Sequence, residues 1–230
     1  MIIGLKIITR ILGKKMNLTW IDAEKYYKLY SSNFVELPIQ IDMNLFEKQI
    51  EPYKNKFRNW GESHTTTMFR KGISVVNMSG SIDDEVDPCC YPQDQYNKLY
   101  NTDYFDNHYT KPTEILNLSC FDPLKILKPY MIRSAILWWN KGSHFKPHID
   151  TELPCVYLRV WATNKPKAYN FTFFDGTTHT APEWKPGQLY LTDTVKTHYA
   201  EALNDDVYTL FFNFDASAYD ILMDLKNDTH

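Results

Sequence analysis

A mainly β fold with flanking helices, a double-stranded β-helix or jelly roll of the cupin-like kind, is what this 230-residue sequence predicts. Three observations point to it. Beyond Pro129 the chain breaks into eight short β-like runs, at 131–139, 145–150, 155–164, 168–176, 178–184, 187–193, 197–203 and 207–215. Turn residues such as Gly142 and Pro186-Gly187 separate them, at the even spacing that two facing sheets require. Aromatic residues reach 15%, with 16 Tyr and 13 Phe, which suits strands and the lining between sheets.

The length fits one domain, 1–230, since β-rich folds of this size are commonly single. Within it, 1–129 is expected to be a helix- and loop-rich part packed on the core. Residues 130–216 form the β core, and 217–230, with "AYDILMDLK", the closing helix and tail.

The opening "MIIGLKIITRILGKK" is apolar, but Lys6 and Arg10 interrupt it before a signal-peptide core or a membrane span is reached. Met16 is an alternative start, with Thr19 or Asp22 as caps for a short helix. Residues 16 to 60 read as helix and loop. The best amphipathic helix is "DMNLFEKQIEPYKNKF", apolar at Leu45, Ile50 and Tyr53. "GISVVNMSG", 72–80, is a strand. From Ser81 to Pro112 the sequence is rich in Asp, Asn, Pro and Tyr without a period, which predicts a long irregular loop of the kind that carries function.

A net charge of −3 gives no general attraction to phosphate backbones or anionic lipid, so neither nucleic acid nor membrane is an expected partner. The four cysteines, Cys89, Cys90, Cys120 and Cys155, lack zinc-finger spacing and read as reduced thiols in a cytoplasmic protein.

"GSHFKPHID", 142–150, brings two histidines and an aspartate together. His148 and Asp150 share a strand face because side chains alternate with a period of two. A third ligand is available in His198, which opens a later strand. His148, Asp150 and His198 thus form a candidate two-histidine, one-carboxylate facial triad, the donor set that holds Fe(II) and leaves coordination positions open. His144 and His179 are the competing ligands. His144 lies on the His148 face if the strand is straight, near the Gly142 turn; His179 lies in the "DGTTHTAPEW" hairpin. On "CVYLRVW", alternation places Tyr157, Arg159 and Trp161 on one face and Val156, Leu158 and Val160 on the other. A buried Arg among aromatics requires an anion.

Gly142-Ser143-His144-x-x-Pro147-His148, then Arg159, then Trp184-x-x-Gly187, Asp193 and His198 resemble, in order and spacing across roughly 130–216, one branch of the Fe(II)- and 2-oxoglutarate-dependent oxygenases, the aspartyl/asparaginyl β-hydroxylases. The resemblance implies a double-stranded β-helix with His148 and His198 as iron ligands, Asp150 filling a carboxylate position that some members of the branch lack. It implies Fe(II), 2-oxoglutarate as co-substrate and O2, with Arg159 holding the 2-oxoglutarate carboxylates and Trp161 lining the pocket. One departure is plain: the late Arg of the family is missing, and Tyr208 or Thr209 stands in its place. The expected activity is hydroxylation of an amino-acid side chain, with a small-molecule or polypeptide substrate. The rival expectations are a non-catalytic jelly-roll binding module and a cupin-like metalloenzyme that does not use 2-oxoglutarate.

Overall fold

The structure, a computed structural model, describes residues 21, 23–30, 32–60, 70–83, 93–150, 157–174, 179–180 and 183–228. The opening segment with Met16, Thr19 and Asp22 lies outside them, as do Cys89, Cys90 and Cys155. Cys120 is a buried free thiol.

The strands among the described residues, in chain order, are β1 (Phe34–Gln40), β2 (Arg58–Asn59), β3 (Arg70–Asn77), β4 (Lys111–Pro112), β5 (Met131–Trp139) and β6 (His144–His148). They continue as β7 (Leu158–Thr163), β8 (Tyr169–Phe174), β9 (His179–Thr180), β10 (Gln188–Thr192), β11 (His198–Ala202) and β12 (Val207–Phe214). One sheet runs β1-β10-β7-β12-β5-β3-β2, with β4 on β3; the other runs β6-β11-β8-β9. All pairings are antiparallel. These are the two facing sheets of the mainly β fold the sequence predicts, and each of the eight predicted runs contains a strand.

Alternation sorts the central strands β5, β7 and β12 of the large sheet between two cores. Leu158, Val160, Ala162, Leu210 and Phe212 point to one side, where they meet Phe46, Ile50 and Phe121 beneath the helical layer. Trp139, Trp161 and Phe211 point to the other, where they meet Phe171, Phe173 and Ala200 of the small sheet. The second core is therefore the interior between the sheets, rich in aromatic rings.

The α-helices among the described residues are α1 (Ala23–Leu29), α2 (Met43–Ile50), α3 (Gln93–Tyr100) and α4 (Tyr219–Asn227). Asp42 caps α2, its carboxylate accepting from the backbone N–H groups of Asn44 and Leu45 at 2.9 and 3.0 Å. Met43, Phe46 and Ile50 make its buried face, with Leu45 half-buried beside it. Pro52 then turns the chain into a 3-10 segment, Glu51–Lys56, so the predicted helix over "DMNLFEKQIEPYKNKF" is only half α. The tail helix forms as expected; Lys226 donates to the carbonyls of Lys28 and Leu29 at 2.9 and 3.0 Å, satisfying groups at the end of α1.

Two segments differ from expectation. β1 lies within the stretch read as helix and loop; its Pro38 hides the strand, and the structure tolerates it because β1 is an edge that pairs only with β10. The stretch 81–112 also holds regular structure in α3 and β4, although 84–92 lie outside the described residues. Among the described residues no helix is long and apolar enough to cross a membrane.

Gly187 ties β1 to β10 and β7. Its carbonyl accepts from Ile41 N–H at 2.9 Å and its N–H donates to Thr163 at 2.8 Å. It sits at φ +69°, and a Cβ would lie 1.9 Å from the Ile41 carbonyl oxygen. Gly187→Ala is expected to cost about 2–4 kcal/mol, from left-handed strain added to a clash with immobile backbone. Urea unfolding measures it; a change below about 0.5 kcal/mol, the ordinary size for a surface substitution, would refute it.

Candidate metal centre

β6 and β11 place the two histidines. They pair antiparallel with His148 opposite His198, and the ring centroids lie 4.5 Å apart. The register then slips: His148 faces His198 while Phe145 faces Ala200, so three steps along β6 match two along β11. Such a bulge inverts the alternation. Phe145 therefore joins His148 on the inner face, packing 5.4 Å from its ring and 5.4 Å from Trp139. His144, expected there in a straight strand, is opposite Glu201 on the other parity, its Nδ1 3.1 Å from the Gly142 carbonyl. His179 pairs with Phe174 through its backbone in β9, and its side chain lies outside the description.

Asp150 lies two residues past β6, its backbone N–H donating to the Thr194 carbonyl at 3.0 Å. Its carboxylate is shared. Oδ1 lies 3.2 Å from His148 Nε2 and 3.8 Å from His198 Nε2, while Oδ2 accepts from Arg159 Nη1. The possible ligand atoms of His148, Asp150 and His198 lie within 4.8 Å of one another. Asp193, beside them in sequence, is not part of this group; it accepts from Tyr26 Oη at 2.9 Å in a buried contact.

Both imidazoles are held in one tautomer. His148 Nδ1–H donates to the Lys146 carbonyl at 2.6 Å and His198 Nδ1–H to the Lys196 carbonyl at 2.9 Å. Each bond fixes Nδ1 as a donor and turns Nε2 toward Asp150, the nitrogen that would be offered to a metal. His198 is 2% exposed, and burial pushes its pKa below the ordinary imidazole value despite Asp150, so it is neutral at neutral pH. Burial alone would raise Asp150; the Arg159 guanidinium beside it outweighs burial and holds the carboxyl well below the usual carboxylate range.

Arg159 lies on the interior face between Tyr157 and Trp161, its guanidinium carbon 4.6 and 5.9 Å from their ring centroids. The family resemblance implies a role at the co-substrate carboxylates. In the structure its partners are Asp150, and Asn213 through an Nε bond of 2.7 Å. Asn213 extends the contacts to Asp106, 3.5 Å away, which also pairs with Arg133 at 3.4 Å. This buried chain of polar groups was not foreseen, since Asp106 belongs to the segment read as irregular loop.

Trp161 lines the interior, 5.6 Å from both Phe171 and Phe211, and Phe171 stacks 5.2 Å from His198. Tyr208 and Thr209 separate. Thr163 pairs with Thr209 and Trp161 with Phe211, so odd positions of β12 face the interior. Tyr208 points to the opposite core, among Phe46, Phe57 and Trp138, and does not reach the triad. Thr209 does face inward, but its hydroxyl accepts from Trp139 Nε1 at 2.8 Å. The strand's parity thus puts Thr209, not Tyr208, on the interior face.

No family model and no curated protein matches the chain. Among solved structures it is similar to HygX from Streptomyces hygroscopicus with nickel, 2-oxoglutarate and hygromycin B bound, at 10% identity and TM-score 0.47, over 85% of this chain and 88% of that one. It is also similar to a prolyl hydroxylase from Trichoplax adhaerens in complex with a hypoxia inducible factor peptide fragment, at 11% identity and TM-score 0.46, over 96% of each chain. A third is a 2OG-Fe(II) oxygenase family oxidoreductase from Burkholderia pseudomallei, at 15% identity and TM-score 0.41, over 86% of this chain and 93% of that one.

Proposed function

We propose that this protein is an Fe(II)- and 2-oxoglutarate-dependent oxygenase, with His148, Asp150 and His198 holding the iron. The observation that carries it is the convergence of two tautomer-fixed imidazoles and one ionised carboxylate at the edge of an aromatic interior. The donor set fits the metal: two imidazole nitrogens and one carboxylate oxygen suit Fe(II).

Bound iron, with 2-oxoglutarate and O2, would supply the oxidation of a C–H bond. The chain's own groups do the rest. The Lys146 and Lys196 carbonyls orient the imidazoles. Arg159 keeps Asp150 ionised and aims its Oδ1 at the histidines. Trp161, Phe171 and Phe211 exclude water from the interior.

Hydroxylation of an amino-acid side chain, free or in a polypeptide, is the finer proposal, resting on the aspartyl/asparaginyl β-hydroxylase-like spacing around His148 and His198. We further propose that the 81–112 segment sets substrate choice, because its Asp106 reaches the polar chain that ends on Arg159 and Asp150.

Anaerobic addition of Fe(II) and then 2-oxoglutarate tests the proposal. Chelation of the metal by a 2-oxo acid is expected to produce a visible charge-transfer band that Fe(II) alone lacks. Iron binding without that band would favour a metalloprotein that does not use 2-oxoglutarate, and absence of iron binding would favour a jelly-roll binding module.

A further inference from the structure

Arg70 is 6% exposed, at the start of β3, and its three side-chain nitrogens have no hydrogen-bond partner. What surrounds it is aromatic: the guanidinium carbon lies 3.4 Å from the Phe145 ring centroid, 5.0 Å from Trp139 and 5.5 Å from Trp60. Ring faces attract a cation, but they do not replace the hydrogen bonds that water gave it. Burial pushes its pKa down to about 9, with Tyr169 the one group pulling the other way, and it remains charged at neutral pH. The Tyr169 hydroxyl is likewise buried with no partner. Its ring packs 5.7 Å from Trp139, the ring that Arg70 also faces.

Register places this orphaned cation with respect to the metal centre. Arg70 is opposite Trp139 on β5, and Trp139 is opposite Val207 on β12, so Arg70 enters the interior at the end where β12 begins. Arg159 enters opposite Asn213, six positions further along β12, about 20 Å of strand. Phe145 links the two ends, touching the guanidinium on one side and His148 on the other. Thr209 marks where the expected late Arg is missing, and through the ladder Thr209, Leu137, Gly72 it stands two positions from Arg70. The missing positive charge is thus present in the same region, carried by β3.

We propose that Arg70, with the Tyr169 hydroxyl, receives the far carboxylate of a 2-oxo dicarboxylic acid whose 2-oxo acid end lies at the metal, and so makes the site select diacids over monoacids. This rests on the co-substrate reading above. It also assigns the two arginines separate tasks: Arg159 positions the ligand carboxylate, and Arg70 confers specificity for the co-substrate.

The test is calorimetric titration of the Mn(II)-loaded protein with 2-oxoglutarate and with 2-oxopentanoate, which keeps the five-carbon chain but lacks the far carboxylate. Wild type is expected to prefer the diacid by about 100-fold, the scale of a charge-assisted bidentate contact in a desolvated site. Arg70→Met should bring the two acids to within about threefold while leaving 2-oxopentanoate affinity unchanged, a difference too small for a charged hydrogen bond. Arg70→Lys, which keeps the charge and most of the bulk, should retain an intermediate preference, since a point charge cannot reproduce the fork. A full wild-type preference in either variant would overturn the assignment of Arg70 and leave the co-substrate reading standing. If wild type binds neither acid, the co-substrate reading itself falls; if it binds both equally, the far carboxylate has no receptor and the Arg70 proposal falls alone.

Discussion

The double variant His148→Ala, His198→Ala is expected to lose divalent metal affinity by at least about 1000-fold, because loss of a mere outer-shell partner of a ligand already costs about 10- to 100-fold. The two side chains form a cross-strand pair on β6 and β11, so removing both deletes two of the three donors without touching a ladder hydrogen bond. His148 is half-buried while His198 is buried against Phe171, so circular dichroism of the double variant is the control that the fold is intact. Anaerobic calorimetry with Fe(II) makes the comparison. Affinity in wild type should fall with acidification, since protons compete for the Nε2 lone pairs. For His198 that loss should begin below the ordinary imidazole range, because burial holds its pKa down. Asp150, held ionised by Arg159, should not limit binding until the solution is far more acidic. Equal affinity in wild type and double variant would remove the triad from the metal hypothesis.

The sequence carries the triad because its geometry is local. Asp150 follows His148 by two residues, just past the end of β6 rather than on the strand as expected, and one correct pairing of β6 with β11 brings His198 to them. The sequence carries the long late strands for a related reason: β5, β7 and β12 place apolar residues on both sides. It does not carry β1, whose Pro38 imitates a loop, nor the first two residues of β3, where Arg70 and Lys71 look like the end of a polar linker. That two-residue error conceals the orphaned guanidinium. Arg70 could have been found by extending the "GISVVN" alternation backwards, which puts positions 70, 72 and 74 on one face. The bulge in β6 is equally hidden, because nothing in "HFKPH" marks the slip that turns Phe145 inward and His144 away. Tyr208 is a parity error of one residue, and in a strand one residue is a change of face.

Arg159→Ala is expected to destabilise the metal-free protein by about 3 kcal/mol or more at neutral pH, the cost of leaving one partner of a buried ion pair uncompensated. For a chain of this length that is a fall of roughly 6–12 °C in the unfolding midpoint. The pair is not a surface bridge: the Arg159 and Asp150 side chains are 10% and 15% exposed, and Asn213 accepts a second bond from the same guanidinium. The sign of the pH dependence follows from Asp150. Its folded pKa is depressed, so it contributes stability that is present above its unfolded value of about 3.9 and is lost as pH falls through the lower folded value. Without Arg159 burial dominates and the folded pKa rises, so the gap between variant and wild type should be widest at neutral pH and narrow with acid. Arg159→Lys should recover only part, since an ammonium cannot serve Asp150 and Asn213 as a planar fork does. Added divalent metal should recover much of the loss as well, because it supplies the cation that Asp150 lacks and binds the folded state alone. That rescue separates positioning from ligation: a variant in a metal ligand loses it, and Arg159→Ala keeps it. Equal unfolding midpoints for wild type and Arg159→Ala in the absence of metal would show that Asp150 does not depend on Arg159.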